Sequence, residues 1–184
     1  MNVVETGIEG LKVIEPDVFH DERGYFVETY NAERYAAHGI KQVFVQDNES
    51  KSCYGVLRGL HFQKPPYAQA KLVRVIKGRV LDVAVDIRKG SPTYGKHVAV
   101  ELTEDNHRQF FIPRGFAHGF AVLSEEAVFQ YKCDSYYAPQ SEGAIAWNDP
   151  DLDIEWGVPA DKVLLSEKDS RHPRLRDAEI PFEY

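Results

Sequence analysis

The sequence predicts an all-β protein, a sandwich or barrel with a few short peripheral helices. Period-two alternation of apolar and other side chains dominates the middle of the chain. Turn signals rich in glycine, proline, asparagine and aspartate separate these short runs, and many short strands at this spacing are typical of sandwiches and barrels. At 184 residues the chain is long enough to bury a sizeable core, and we expect a single domain spanning residues 1–184.

The clearest predicted strand is RVLDVAVDIR, residues 79–88. Strict alternation places the apolar side chains from Leu81 to Ile87 on one face and Asp82, Ala84 and Asp86 on the other, which predicts a half-buried strand. Further strands are predicted in similar runs, namely GVLRGLHFQ, KLVRVIKG, HVAVELT, QFFIP, GFAVLS and AVFQYKC.

Helical patterns are confined to two places. NAERYAAHGI, residues 31–40, is one, and SEKDSRHPRLRDAE, residues 166–179, is the other. In the second, Ser166 and Asp169 have the spacing of a capping box. We expect the proline-rich end from Asp149 onward to form an ordered flap or tail that packs on the barrel.

Charge and composition exclude several classes of protein. A formal net charge of −7 argues against nucleic acid as a partner, although a small anionic ligand in a local basic pocket remains open. The two cysteines, Cys53 and Cys133, lack the spacing of a disulfide framework or a thiolate metal site. The N-terminus lacks the pattern of a signal peptide, and no apolar run approaches the ~20 residues of a membrane span, so we expect a soluble, cytoplasmic protein.

Arg58 and His61 stand inside an apolar run, where core residues are expected. Regular alternation would place them on opposite faces of the strand. Gly59 lies between them, and a glycine inside a strand often marks a bulge that re-aims its neighbours. We therefore predict a bulge near Gly59 that turns both side chains inward; regular pairing through residues 56–62 would contradict this.

Other polar side chains are predicted to face the interior. Lys71 shares the parity of Val73 and Val75, and Tyr131 alternates in step with Phe129 and Cys133. Each also has an ordinary structural interpretation, because strand-end lysines extend along apolar surfaces and core tyrosines are common. A lone strand histidine such as His61 is more often a hydrogen-bonded structural residue than a catalyst.

The run PRGFAHGF resembles the second motif of the cupins, P-x-G-x-x-H, through Pro113, Gly115 and His118. The first cupin motif supplies an H-x-H pair and a glutamate to a metal. Here Gln63 follows His61 at the second histidine position, and KPPYAQAK offers no glutamate. Two histidines without a third protein ligand make a poor metal site, so we expect a jelly roll without a catalytic metal or cofactor.

The motifs RGLHFQ, KLVRVIKGRVLDVAVDIRKGSPTYGK, FIPRGFAHGF, YKCDSYYAP and LSEKD resemble the metal-free dTDP-4-dehydrorhamnose 3,5-epimerase family, from about Gly10 to Asp169. The resemblance implies a cupin-type jelly roll, a double-stranded β-helix. It also implies a substrate, a 4-keto-6-deoxy sugar on thymidine diphosphate, whose carbons 3 and 5 are inverted beside the ketone on the way to dTDP-L-rhamnose.

The resemblance assigns four residues to catalysis. His61 takes the role of the base and Asp169 orients its imidazole. Lys71 would stabilise the enolate oxygen, and Tyr131 matches the proton donor.

The resemblance also implies binding positions. Arg23 and Arg58 match arginines that bind diphosphate or substrate, His118 matches a pocket histidine, and Tyr137 matches the aromatic residue that stacks on thymine. The remaining matching positions are Phe26, Glu28, Gln46, Asp47, Asn48, Glu142 and Lys168. The family is usually homodimeric, with an N-terminal segment that contributes to the neighbour's sheet and site, so Arg23, Phe26 and Glu28 are candidates for the partner's pocket.

Two alternatives stay open at this point. A relative that inverts only one centre would also need His61 and Lys71, whereas Tyr131 favours the double epimerase. A non-catalytic sugar-nucleotide-binding jelly roll would keep the arginines and the stacking tyrosine, but it would not need a base, an orienting aspartate and an acid.

Overall fold

The computed structural model describes every residue from Met1 to Tyr184 and consists mainly of antiparallel strands. The strands are β1 (Asn2–Glu5), β2 (Lys12–Glu15), β3 (Val18–Asp21), β4 (Gly24–Val27), β5 (Gln46–Cys53), β6 (Leu57–Gln63), β7 (Lys71–Lys77), β8 (Arg79–Asp86), β9 (His97–Thr103), β10 (Gln109–Ile112), β11 (Phe116–Val122), β12 (Glu126–Cys133) and β13 (Glu142–Ala144). The single α-helix, α1, spans Ala32–Ala37. The predicted all-β class is confirmed.

Two antiparallel sheets form the body. One has six strands in the order β1-β2-β10-β7-β12-β5, and the other has five in the order β13-β6-β11-β8-β9. A separate hairpin pairs β3 with β4. From β5 to β13 the chain alternates between the two sheets except at the β8–β9 pair, which is the arrangement of a jelly roll, so the cupin-type fold is confirmed.

All seven strand predictions are confirmed, but β1 to β5 and the three-residue β13 have no counterpart in the sequence prediction. The first four strands are only four residues long. The fifth, QDNESKSC, is a polar strand at the edge of the six-stranded sheet. Short or polar edge strands lack the apolar alternation that identifies a strand.

The prediction that β8 is half-buried is wrong, because both of its faces are covered. Val80 and Ala84 pack between the two sheets, and Asp82 and Asp86 on the same side are fully buried. The face that carries Val83 packs instead against residues from the C-terminal part of the chain. The face that looked polar in the sequence is therefore the interior of the jelly roll.

The C-terminal segment after β13 covers the outer face of the five-stranded sheet. Leu152, Trp156, Ile180 and Phe182 belong to the same buried cluster as the apolar side chains of β6 and β8. The segment pairs with the body through isolated bridges, including the one between Val56 and Leu164. It forms no extended strand ladder of its own.

The two helix predictions have different outcomes. The first is confirmed by α1, whose N-cap Asn31 accepts a hydrogen bond from the Arg34 backbone N–H through its side chain at 3.2 Å. The second was wrong as a single helix, since residues 166–179 contain two 3₁₀ turns, Asp169–Arg171 and Leu175–Asp177. Pro173 separates them, and proline interrupts helical hydrogen bonding. No helix is long and apolar enough to span a membrane.

Candidate active site

The bulge predicted at Gly59 is present in the pairing of β6 with β11. His61 lies opposite His118, and Arg58 lies opposite Phe120. From Arg58 to His61 the chain advances by three residues, whereas from His118 to Phe120 it advances by two. One extra residue is therefore accommodated in β6, as in a β-bulge. Arg58 and His61 thus both line the same pocket, and the prediction is confirmed.

Gly59 is required by space as well as by conformation. Its φ is +139°, and a Cβ atom there would lie 2.6 Å from the Cα atom of Gly119 on β11. We expect Gly59→Ala to lower the free energy of unfolding by about 2–4 kcal/mol, measured by urea denaturation. The matched control is Gly7→Ala, because a Cβ at Gly7 would meet nothing within 4 Å. Equal stability of the two variants would show that β6 has no such constraint.

The pocket lies between the two sheets and has a volume of about 460 Å³. Side chains from both sheets and from the C-terminal segment line it. Its polar lining residues are Glu49, Ser50, Arg58, His61, Lys71, His118, Tyr131, Ser166, Lys168 and Asp169. The four residues assigned to catalysis from the sequence therefore share one cavity.

His61 and Asp169 form a close pair across more than a hundred residues of sequence. His61 Nε2 lies 2.5 Å from Asp169 Oδ1, and the side chain of His61 is 41% exposed whereas that of Asp169 is 6% exposed. Burial would raise the pKa of Asp169, but the hydrogen bond and charge of His61, with help from His172 and Ser166, hold it at about 2. An ionised Asp169 can orient the imidazole and stabilise its protonated form.

His172 is a contact that the sequence prediction missed. Its Nε2 lies 3.0 Å from the same Asp169 Oδ1, and its side chain is mostly buried. The two imidazole rings meet edge to face, with centroids 5.6 Å apart. His172 follows Asp169 by three residues in the sequence. The single helix predicted across Pro173 did not indicate the 3₁₀ turn that brings the two side chains together.

A second histidine–carboxylate pair lies deeper in the pocket. His118 Nε2 lies 2.9 Å from each carboxylate oxygen of Asp82, and both side chains are buried. Burial lowers the pKa of His118 and raises that of Asp82, and each partner opposes the other's shift. The sequence prediction included His118 but missed Asp82, which it had placed on a solvent face.

Lys71 and Tyr131 project from the six-stranded sheet into the pocket. The Lys71 ammonium lies 5.6 Å from the centre of the Tyr131 ring. Burial lowers the pKa of Lys71, while Cys133, Asp82 and Glu142 favour its charged form. Burial also raises the pKa of Tyr131, which keeps the phenol protonated. Their predicted inward orientation is confirmed.

The chain is similar to known proteins along most of its length. Residues 5–177 match the profile of the dTDP-4-dehydrorhamnose 3,5-epimerase family. This chain belongs to that family. A dTDP-4-dehydrorhamnose 3,5-epimerase of Shigella flexneri is 53% identical over 180 residues, which cover 97% of this chain and 98% of the relative. The resemblance seen in the sequence motifs is confirmed.

Two solved structures of similar proteins carry bound sugar nucleotides. The 3,5-epimerase of Legionella pneumophila Philadelphia 1, in complex with dTDP-4-keto-L-rhamnose, has a TM-score of 0.96 and 50% identity, covering 100% of this chain and 98% of that one. A 3'-monoepimerase from Streptomyces bikiniensis, in complex with dTDP-quinovose, has a TM-score of 0.86 and 34% identity, covering 93% and 86%. The same fold thus occurs in an epimerase described as acting at two carbons and in one described as acting at a single carbon.

Hydrogen bonds link several predicted binding residues of the epimerase to Lys168, which lines the pocket. The Tyr137 hydroxyl donates to Glu142 at 3.1 Å, and Glu142 also pairs with Lys168. The backbone N–H of Tyr137 donates to the side chain of Gln46 at 3.0 Å, and the Gln46 amide donates to Asn48 at 3.1 Å. These five predicted binding residues are therefore neighbours.

Asp47 lies apart from these neighbours in the epimerase. It alternates with Gln46 and Asn48 along β5, and its side chain pairs with Lys132 at 2.7 Å. Arg58, by contrast, is inside the pocket, where its Nε donates to the Ser52 hydroxyl at 3.3 Å.

Ser50 is a further pocket residue that the sequence prediction missed. Its hydroxyl is buried and has no hydrogen-bond partner. A buried unpaired hydroxyl in a binding cavity is suited to a polar group of a ligand. Its place in a polar edge strand gave no signal in the sequence of the epimerase.

Arg23, Phe26 and Glu28 do not line the pocket of their own chain. Arg23 and Phe26 lie on the exposed β3–β4 hairpin, where the Arg23 side chain is 84% exposed and Phe26 is 68% exposed. Glu28 follows the hairpin and pairs with Arg34 at 2.9 Å. Within one chain of the epimerase, these three predicted site residues are therefore separate from the others.

Proposed function

We propose that this enzyme inverts carbons 3 and 5 of dTDP-4-dehydro-6-deoxy-D-glucose to give dTDP-4-dehydro-L-rhamnose. The observation that carries the proposal is the placement of a base and an acid on different walls of one pocket. His61 lies on the five-stranded sheet, and Tyr131 lies on the six-stranded sheet, next to the charged group of Lys71. Inversion requires removal of a proton from one face and its return to the other.

Each inversion breaks one C–H bond beside the ketone and forms another. His61 accepts the proton, and Asp169 supports the resulting imidazolium. The electron pair moves into an enolate, whose oxygen Lys71 stabilises by charge and hydrogen bonding. Tyr131 then donates its proton to the opposite face as the electron pair forms the new C–H bond, and exchange with solvent returns His61 and Tyr131 to their starting protonation before the next inversion. The sugar undergoes no net oxidation or reduction, so this chemistry needs no redox group, and we propose no cofactor.

The nucleotide part of the substrate is proposed to lie at the polar end of the pocket. Arg58 and the unpaired Ser50 hydroxyl are suited to diphosphate oxygens. Tyr137 is exposed beside Glu142 and Lys168, which leaves its ring available to stack on thymine. His118, held by Asp82, is assigned to contact with the sugar. Free thiols at Cys53 and Cys133 agree with a cytoplasmic location.

The main test follows deuterium from solvent into the sugar. The enzyme is supplied with dTDP-4-dehydro-6-deoxy-D-glucose in deuterated water, and carbons 3 and 5 are observed by NMR. Deuterium at both carbons supports the proposal. Deuterium at one carbon would support the second candidate, a single-centre epimerase, for which the similarity to the 3'-monoepimerase is the specific reason. Deuterium at neither would leave only a binding function.

Tyr131→Phe separates proton removal from proton return. We expect the variant to keep proton removal but to form epimerised product much more slowly, by about 10²–10⁴-fold, because the acid is missing. NMR measures exchange and product in the same sample. Tyr136→Phe is the control, since Tyr136 is exposed and outside the pocket. Normal product formation by Tyr131→Phe would exclude Tyr131 as the donor.

We propose that two chains form a homodimer in which each β3–β4 hairpin reaches the partner's pocket. The hairpin has an exposed aromatic surface formed by Phe19, Tyr25 and Phe26. Phe19 and Phe26 are cross-strand partners on one face of this two-stranded hairpin, and contact with a second chain would cover them. This exchange of hairpins between the two chains would also bring Arg23 to the partner's pocket, where it could add to the diphosphate contacts.

Subunit mixing tests this exchange. We expect Arg23→Ala and His61→Ala chains to be nearly inactive separately but to recover activity when unfolded and refolded together. A mixed dimer has one site with both His61 and the partner's intact arm, so about a quarter of all sites should be active at equal mixing. Sedimentation confirms the dimer, and turnover measures the recovery. No recovery would mean that Arg23 acts within its own chain or outside any site.

A further inference from the structure

Three metal-ligating atoms converge beside the catalytic pocket. His61 Nε2 and His172 Nε2 lie 2.5 and 3.0 Å from Asp169 Oδ1, and the three ligand atoms all lie within 4.8 Å of one another. The imidazole planes are nearly perpendicular, at 89°. Two neutral imidazoles and a carboxylate are a common donor set for zinc.

We propose that His61, Asp169 and His172 form a Zn²⁺ site whose occupation inhibits the enzyme. Zinc replaces the hydrogens that lie between the two Nε2 atoms and the carboxylate, each neutral imidazole then carries its hydrogen on Nδ1, and water completes the coordination. With Nε2 of His61 bound to zinc, the hydrogen of the neutral ring lies on Nδ1, so His61 has no free lone pair left to accept the substrate proton. This inhibitory effect rests on the proposed function, whereas zinc binding itself does not.

The required rearrangement is small. Tetrahedral zinc with bonds of about 2.0–2.1 Å separates neighbouring ligand atoms by roughly 3.3 Å. The closest pair, His61 Nε2 and Asp169 Oδ1, must therefore separate by roughly 0.8 Å from its 2.5 Å distance. His61 is partly exposed at the surface of the pocket, so a change of side-chain torsion can provide this movement.

Solvent has a route to the cluster. A separate cavity of about 170 Å³ is lined by His61, His172, Glu142 and Lys168, together with the backbone of β13. The Lys168 charge is compensated by its pair with Glu142. A hydrated cation therefore meets no uncompensated positive side chain among the residues that line this cavity.

This site differs from the metal position of the cupins. The second cupin-motif histidine, His118, is engaged by Asp82 and is not part of the cluster. His172 comes instead from the C-terminal segment outside the two sheets. The cluster therefore uses a ligand that the cupin motifs do not contain.

Zinc binding is measured by isothermal titration calorimetry, and Co²⁺ is used as a spectroscopic probe of coordination. We expect one Zn²⁺ per chain and the intense visible bands of four-coordinate Co²⁺. His172→Gln should weaken zinc binding at least about tenfold and abolish these bands. His38→Gln and Cys53→Ser are controls, because both residues are exposed potential ligands outside the cluster. Thermal unfolding verifies that each variant is folded.

The outcomes separate the site from the activity. Absence of stoichiometric binding, or unchanged affinity in folded His172→Gln, would overturn the site, as would loss of binding in Cys53→Ser. If the site is correct, bound Zn²⁺ should lower turnover even at saturating sugar nucleotide, because the base is blocked, and chelation should restore turnover. Bound Zn²⁺ without effect on turnover would overturn the inhibition. A folded protein that binds Zn²⁺ but shows no epimerase activity would instead refute the proposed function and leave the metal site established.

Discussion

Replacing His61 with alanine is expected to abolish deuterium exchange at both carbon 3 and carbon 5. The fall should be at least about 10²–10⁴-fold, the range contributed by a positioned general base. The reason is geometric, because His61 is the pocket imidazole that Asp169 holds at 2.5 Å. Exchange is followed by NMR in deuterated water, which detects each centre separately.

A matched variant, His38→Ala, controls for the loss of an imidazole. His38 is exposed at the end of α1, far from the pocket lining. Near-normal exchange by His61→Ala would remove His61 from the role of base. The next candidate would then be His118, which faces the same cavity and has its own carboxylate, Asp82.

Lys71→Met is expected to reduce turnover by about 10²–10³-fold, the typical effect of losing one group that stabilises an oxyanion. Methionine preserves most of the side-chain volume and removes the charge. Turnover at saturating substrate is the measurement, because stabilisation of the enolate affects the chemical step more than binding. Lys77→Met is the control on the same strand, where Lys77 is exposed and pairs with Glu126.

The stability of Lys71→Met distinguishes a catalytic from a structural role. Burial lowers the pKa of Lys71, so the folded state binds protons less readily than the unfolded chain. At neutral pH a charged Lys71 therefore opposes folding, and this opposition fades as pH rises towards the pKa of the unfolded chain. We expect the melting temperature at pH 7 to be maintained or raised. A lower melting temperature accompanying the loss of turnover would indicate that Lys71 supports the fold.

Much of the jelly roll could be predicted because its central strands carry local signals. The strands from β6 to β12 alternate regularly and end at glycine-rich or proline-containing turns. Even the irregularity in β6 was predictable, since Gly59 lies between two polar residues that needed the same face. The inward orientation of the Lys71 and Tyr131 side chains was predictable from their parity with buried neighbours on the same strands.

Other features depend on tertiary packing that alternation does not contain. Asp82 looked solvent-facing because alternation distinguishes two faces but not how many layers cover them. The C-terminal segment buries the face of β8 that carries Val83. The opposite face lies between the two sheets, where Asp82 pairs with His118. His172 was missed because its contact with Asp169 depends on the short 3₁₀ turn Asp169–Arg171, whereas the sequence pattern predicted a longer helix there.

The origin of Asp169 has a consequence for how the enzyme loses activity. The carboxylate that orients His61 belongs to the C-terminal segment, which is joined to the body by apolar packing and isolated bridges. Within it, residues 166–168 and 170–171 on either side of Asp169 are exposed, and such a stretch can open below the temperature at which the whole domain unfolds. Such opening would separate the dyad while leaving both sheets intact. Thermal inactivation would then report detachment of this segment, a sub-global event, rather than melting of the jelly roll.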